Sequence, residues 1–275
     1  MDIADQNYRA FMLQALAKAI NDFCMNAIGS PVFGWRDRSV GSKVKKGDQY
    51  FWLRVVSENK NWIQKEWWEG NEAANAIKGI PKPQVLNRLE WERGEFKLRA
   101  ELMTFMEGKT CSVTPELRSE LDLPDRWWAQ LRCSLDRLAA CPTKRVKVKQ
   151  EKITRRVMVF FGDELDTEVT HWATAHGDFH WGNLQFPNLS ILDWEGWGKA
   201  PVGYDAATLY CYSLLIPSVA DQVYKMFSDI LNTRDGVIAQ LYVITRLLRR
   251  IDHGDSLDLA GPLHRHAKKL LSKCI

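Results

Sequence analysis

Apolar positions near the start of the chain recur at three- and four-residue steps. Tyr8, Phe11, Ala15, Leu16, Ala19, Ile20 and Phe23 share one face of a helix predicted over 2–28, which Gly29-Ser30-Pro31 stops. The period then shortens to two. Residues 34–44 and 49–56 flank Lys45-Lys46-Gly47-Asp48 and read as a hairpin. A helix is expected over 59–78, with Trp62, Trp67 and the Ala73–Ala76 stretch toward a core, and Pro81-Lys82-Pro83 ends it. Val85–Leu89 and Phe96–Met103, joined at Glu92-Arg93-Gly94, form a second antiparallel pair. Helix, hairpin, helix, hairpin is the order of a small α+β lobe.

Thr104-Phe105-Met106-Glu107-Gly108 is the candidate connector, because its glycine can absorb backbone rotation. Beyond it Trp127, Trp128, Leu131, Leu135 and Leu138 are spaced for burial on a helix over 124–140, so both tryptophans read as core. Helical periodicity returns over 204–215, 219–231, 237–251 and 263–274. The fold class is α+β in two lobes: an antiparallel-sheet lobe over 1–103, a hinge at 104–108, and a mainly helical lobe over 109–275. No internal repeat or low-complexity segment interrupts it.

Composition narrows the function classes. Hydrophobic residues make up 45% and charged residues 26%, the balance of a globular chain. No apolar run approaches the roughly 20 residues that span a bilayer, and the start Met1-Asp2-Ile3-Ala4-Asp5 is acidic where a signal peptide is basic. A cytoplasmic protein without membrane partner is expected. Cysteines 24, 111, 133, 141, 211 and 274 are scattered without a Cys-x-x-Cys pair, which argues for reduced thiols over a zinc site or disulfide framework. The net charge of +4 is local in origin: residues 144–156 hold seven basic side chains against Glu151, and the rest of the chain is net acidic. Lysines alternating with Val146 and Val148 read there as a strand pair with one wet face; a basic patch for a partner is the other reading. No interleaved aromatics or recognisable module accompany it, so no nucleic-acid partner is expected.

The candidate chemistry is concentrated in His176-Gly177-Asp178-Phe179-His180-Trp181-Gly182-Asn183, followed by Asp193-Trp194-Glu195. Phosphoryl transfer to an alcohol needs a carboxylate to orient the hydroxyl and take its proton, with cations around the spread negative charge. Asp178 suits the first role. Asn183 offers an amide oxygen and Asp193 a carboxylate to magnesium, which takes oxygen ligands and keeps few of them from protein. Residues 184–192 read as a very short hairpin, which returns Asp193 to the side of Asn183. Earlier in the chain, Ser39-Val40-Gly41-Ser42 is small enough for backbone N–H groups to approach phosphates, although an ordinary hairpin explains it equally. Arg54, a cation inside the apolar run 51–56, needs a counter-charge or an exit to solvent; it is either a phosphate clamp or a surface arginine.

The string at 176–183 with Leu-Asp-Trp-Glu at 192–195 resembles the aminoglycoside phosphotransferase family, whose fold is that of the protein kinases. The resemblance is specific over 176–205 and covers nearly the whole chain in layout. It implies an ATP- and Mg-dependent phosphotransferase with Asp178 as catalytic base and Asn183 and Asp193 as metal ligands. It implies that Ser39, Gly41 and Ser42 cover the phosphates. Arg54 then stands where the family has a lysine on the α- and β-phosphates, with Glu69, or else Glu66, as its helix partner. Met103, Phe105 and Met106 line the adenine slot, and Asp205 braces the catalytic loop. The arginine for lysine and the missing glycine-rich signature are departures from the pattern.

The acceptor is expected to be the hydroxyl of a small molecule, first an aminoglycoside or other antibiotic or natural product, with a role in resistance. A metabolic sugar or amino alcohol is the alternative, as is a kinase-like protein that binds nucleotide without catalysis. Aminoglycosides are polycations, so an acidic pocket is looked for in Asp163, Asp166 and Glu195; the basic segment 144–156 argues the other way if it lines the same site. A monomer is favoured.

Overall fold

The computed structural model describes residues 3–272, with side chains from Gln6 onward, so Cys274 and the outermost ends of the first and last expected helices lie outside it. Helix α1 spans Ile3–Asp22 and is followed by strands β1 (Asn26–Phe33), β2 (Ser39–Lys46) and β3 (Gln49–Asn59), then two single helical turns, α2 (Lys65–Trp68) and α3 (Gly70–Ala73). Strands β4 (Val85–Arg93), β5 (Phe96–Thr104) and β6 (Lys109–Thr110) come next. The remainder is α4 (Asp125–Ala140), α5 (Gln150–Phe161), β7 (Trp172–Ala175), β8 (Gln185–Phe186), β9 (Gly198–Pro201), α6 (Tyr204–Ser213), α7 (Pro217–Met226), α8 (Ser228–Leu231), α9 (Arg234–Ile251) and α10 (Ala260–Leu271). The chain divides into two compact units, residues 1–76 with 82–107, and 77–81 with 108–275.

The first unit is a five-stranded antiparallel sheet in the order β1-β2-β3-β5-β4, with α1 on one face. Alternate residues of β2, β3 and β5, namely Val40, Val44, Leu53, Val55, Leu98 and Ala100, meet Met12, Leu16, Ala19 and Phe23 of the helix. Both hairpins predicted from the sequence are present, Lys46 paired with Gln49 and Arg93 with Phe96.

Two expectations for this unit are corrected. The first helix ends at Asp22 rather than 28, and 26–33 form an edge strand paired with β2. Phe23 is the last residue in helical phase; Gly29 takes a positive φ and Pro31 sits in the edge strand, where a missing N–H costs no ladder bond. The helix expected over 59–78 is broken into short turns. Ile63 and Gln64 are extended, and the backbone leaves helical geometry again at Glu69. With the phase lost, Trp62 and Trp67 face solvent and only Ala74 of the expected apolar face is buried.

The second unit is mainly helical, and α9 is its axis, with α5, α6 and α10 packed on it. Trp127 and Trp128 are core, as the periodicity of α4 implied. Trp127 stacks on Trp181 at 6.3 Å, and its indole N–H donates to the Gln185 carbonyl. The wet strand pair expected over 144–156 is a third correction. Residues 150–161 are helix α5, with Ile153 and Val157 buried one turn apart, and only Val146 makes a strand-like bridge, to Lys199. Alternation of lysine and valine ends at Val148; the apolar phase beyond it is helical. No helix among the described residues is long and apolar enough to cross a membrane, and the five described cysteines are free thiols.

Candidate active site

Strand β7 delivers the chain to His176, and the turn that follows is pinned from below. Asp205, in the first turn of α6, accepts the His176 N–H on Oδ2 at 2.6 Å and the Gly177 N–H on Oδ1 at 2.9 Å. A carboxylate is favoured at that end of a helix, where backbone N–H groups are unpaired. Burial pushes the Asp205 carboxyl up to about 6, against these two hydrogen bonds and the Lys147 cation.

Gly177 has φ +86°, and a Cβ there would lie 2.7 Å from the Gly196 carbonyl oxygen and 2.7 Å from the Lys147 stem. Glycine is required at this position on both counts. Gly177→Ala should therefore lower stability by about 1–3 kcal/mol from backbone strain alone, with loss of activity. A thermal melt and a rate unchanged from the parent would rule out this tight turn.

His176 is fully enclosed, and burial pushes its imidazole down to about 4, so it is neutral at pH 7. Nε2 donates to the Leu192 carbonyl at 2.9 Å, and Nδ1 faces the Asp178 N–H at 3.3 Å. Leu192 is held on its other side by a hydrogen bond from its N–H to the Asn183 carbonyl, 2.8 Å. The short hairpin read over 184–192 is present, closed by Leu184 opposite Ile191 and by Gln185 N–H to Ser190. Through Leu192, the residue before Asp193 is tied to both ends of the loop that carries Asp178. Asp193 itself is exposed and takes φ +60°, a left-handed conformation that aspartate adopts more readily than most residues.

The Asp178 side chain keeps 35% of its surface, so a hydroxyl can reach it. Its Oδ2 lies 3.4 Å from His180 Nε2 and its Oδ1 3.9 Å from Arg246 Nη2. Burial works to raise this carboxyl; His180, Arg246 and Lys147 outweigh it and hold it well below the ordinary carboxylate range. Asn183 donates its amide N–H to the Asp178 carbonyl at 2.9 Å, which leaves the amide oxygen as an acceptor. A buried amide oxygen and an exposed carboxylate are the hard oxygen donors that magnesium takes. Among the described residues no three His, Cys, Asp or Glu side chains form a metal site by themselves. This donor set therefore fits a cation that draws its remaining ligands from phosphate and water.

Two cations at this site were not singled out from the sequence. Lys147 lies within electrostatic reach of Asp178, Asp205 and Asp193, and burial with the neighbouring Arg246 pushes its ammonium down to about 8. Arg246 projects from the C-terminal half of α9 and also donates to the Tyr204 hydroxyl. A signal for Arg246 existed: it interrupts the apolar run 241–248, the same reasoning that drew attention to Arg54.

Two of the acidic residues considered for the acceptor, Asp163 and Asp166, lie on the loop before β7 and not beside Asp178. Asp166 pairs with Arg234 at 2.6 Å at the start of α9, and Glu164 and Asp166 border a cavity of about 510 Å³ there. Arg234 and Arg246 are twelve residues apart on one helix, roughly 18 Å along its axis. Asp163 is exposed on the same loop. Glu195 follows Asp193 by two residues, and its backbone carbonyl accepts from Arg145 at 3.1 Å.

In the first unit, Ser39, Gly41 and Ser42 lie inside β2 rather than in a loop. Ser42 is buried with its hydroxyl donating to the Lys43 carbonyl, and Gly41 leaves room for the Trp52 ring. The β1–β2 connection is residues 34–38, with Arg36 and Asp37 at positive φ. Arg54 stands opposite Glu101 on β5, its guanidinium 3.6 Å from that carboxylate. Glu101 also accepts from the fully buried Arg99 at 2.9 Å and from Asn71 at 2.9 Å. Glu101 was not among the partners proposed for Arg54. Glu69 is half-buried at the junction of α2 and α3, and Glu66 is exposed on α2. Met103 is buried, and Phe105 packs near Tyr50 under the Lys43 ammonium, which sits 4.4 Å from its ring centre.

Neither a protein-family profile nor a curated protein matches the sequence. Solved structures match its fold. Aminoglycoside phosphotransferase APH(4)-Ia aligns over 96% of this chain and 98% of its own, with TM-score 0.60 and 12% identity. Spectinomycin phosphotransferase APH(9)-Ia, in complex with ADP and spectinomycin, aligns over 92% and 93% with TM-score 0.51 and 14% identity. A putative fructosamine-3-kinase from Haemophilus somnus aligns over 96% and 99% with TM-score 0.51 and 8% identity. The chain has an aminoglycoside phosphotransferase-like small-molecule kinase fold. At these identities the likeness defines the architecture and leaves the reaction to be argued from the site.

Proposed function

We propose that the chain is an ATP- and magnesium-dependent phosphotransferase acting on a hydroxyl of a small molecule. The observation that carries this reading is Asp178: ionised, half-exposed, and set on a loop that Asp205 and the Leu192 carbonyl brace and that Asn183 hydrogen-bonds, with Asp193 next in the chain after Leu192. Asp178 orients the acceptor hydroxyl and takes its proton as the new oxygen–phosphorus bond forms. The bond from the γ-phosphorus to its bridging oxygen breaks with the electron pair leaving on ADP. Magnesium, held by Asn183 and Asp193, would neutralise charge on the phosphates. Lys147 and Arg246 add fixed positive charge beside Asp178. On the first unit, Arg54 is the proposed nucleotide contact, steadied by Glu101, with Met103 to Phe105 offering backbone groups to adenine. Free thiols accord with a cytoplasmic setting.

The test is ATP consumption by the purified chain over a panel of hydroxylated compounds, with mass spectrometry looking for a gain of one phosphate. Antibiotics enter that panel because the structural neighbours are named for them. Absence of any phosphorylated product, together with no binding of Mg-ATP, would refute the proposal.

Asp193→Ala should weaken Mg-dependent ATP binding about tenfold or more, since a charged ligand to the metal is lost. Calorimetry with and without magnesium reads this directly. Equal affinities for variant and parent would remove Asp193 from the metal site.

A further inference from the structure

We propose that the acceptor is an anion, carrying a phosphate or carboxylate besides its reactive hydroxyl, and that Arg156, Arg249 and Lys152 bind that group. The inference rests on the phosphotransferase reading above and names the substrate class for the same site.

The geometry starts at Asp178. Arg246 reaches its carboxylate, and the basic surface continues outward from there along two packed helices. On α9, Arg249 follows Arg246 by three residues and shares its face, with about 5–6 Å between their Cβ positions. On α5, Lys152 and Arg156 are four residues apart and also share a face. Arg156 ties the two helices together: its guanidinium lies 5.7 Å from the centre of the Tyr242 ring, and Tyr242 is one turn before Arg246. An acceptor with its hydroxyl at Asp178 can thus place a second group one to two helical turns away, among these cations.

No carboxylate is paired with these cations among the described residues: Lys152, Arg155, Arg156 and Arg249 make no ion pair, while most other arginines in this unit do. Arg156 Nε is buried with no hydrogen-bond partner. Burial and the neighbouring arginines push both Lys152 and Arg156 below their ordinary values. Like charges held together disfavour one another, and an anion among them would relieve that cost. Lys152 and Arg249 are exposed, so a second group of the acceptor can reach them. A polycationic acceptor would face Lys147, Arg246 and this cluster with like charge.

The experiment uses the full chain with Mg-ATP and two panels of hydroxyl compounds, one of sugar monophosphates and hydroxy acids, the other of aminoglycosides and amino alcohols. Turnover confined to the anionic panel is expected. Its acceptor KM should rise about tenfold or more in the R156Q/R249Q variant and should climb with added salt, while KM for Mg-ATP stays within about twofold. Because Arg156 packs on Tyr242, R249Q alone, at an exposed position, should move the acceptor KM in the same direction. Turnover of the cationic panel with KM indifferent to R249Q would overturn the inference and leave the phosphotransferase standing. Should neither panel react, inorganic phosphate alone decides the anion site: it should raise the melting temperature of the parent but not of R156Q/R249Q. An equal response in both overturns it, whatever becomes of the kinase reading.

Discussion

Replacing Asp178 by asparagine should lower kcat by about 10²–10⁴ while Mg-ATP still binds, because the variant keeps the shape of the loop and loses only the proton acceptor. That range corresponds to roughly 3–5 kcal/mol of barrier. The backbone around Asp178 is held by bonds that the substitution does not touch: Asp205 to His176 and Gly177, and Asn183 to the Asp178 carbonyl. The pH–rate profile adds a second reading. The Asp178 carboxyl is held below the ordinary range, so it stays ionised as pH falls through neutrality, and its own acid limb lies well below pH 4. A limb near pH 8 would belong to Lys147, whose ammonium loses its proton as pH rises through about 8. A purified Asp178→Asn protein with near-parental turnover would remove Asp178 from the chemistry.

Asp205→Ala should be the most destabilising change at the site, and it should abolish activity without touching a reactant. Two buried N–H groups would lose their acceptor at once, at about 1–3 kcal/mol each. Scaled to a chain of this size, that is a fall in melting temperature of roughly 10 °C. Asp205→Asn keeps one acceptor oxygen and should recover part of the loss. Hydrogen exchange at His176 and Gly177 distinguishes a loosened loop from a general loss of stability: both amides should exchange faster than those of β7. An alanine variant that melts with the parent and retains its rate would show that the loop stands without this brace.

The loop chemistry was legible because it is local. Asp178 and Asn183 are five residues apart, and the turn that brings Asp193 back is closed by the hydrogen bond between Leu192 and Asn183, so all three residues come from one short stretch. Both sheet hairpins were legible for the same reason, since alternation and a Gly-containing turn sit side by side in the chain. Elsewhere, local signals misled. Lysine–valine alternation at 144–149 looked like the start of a strand pair, yet Ile153 and Val157 turn the chain into α5. Apolar residues over 59–78 suggested one helix, yet the backbone breaks at Gln64 and Glu69, and Asn71 and Glu72 reach β5.

By itself, the amino-acid sequence determined the order of the two sheet hairpins, the core face of α1 and α4, and the short hairpin that follows the loop of Asp178 and Asn183 and leads into Asp193. All of these depend on spacing within a few turns or one hairpin. Only the tertiary structure decided the electrostatics. Arg54 meets Glu101 through the register of β3 against β5, strands that are not consecutive in the chain. Arg246 reaches Asp178 across 68 positions of sequence, and α5 and α9 bring separate basic residues onto one surface. Charge acts through space, and which charges share a space is set by how helices and strands pack, which residue spacing does not record.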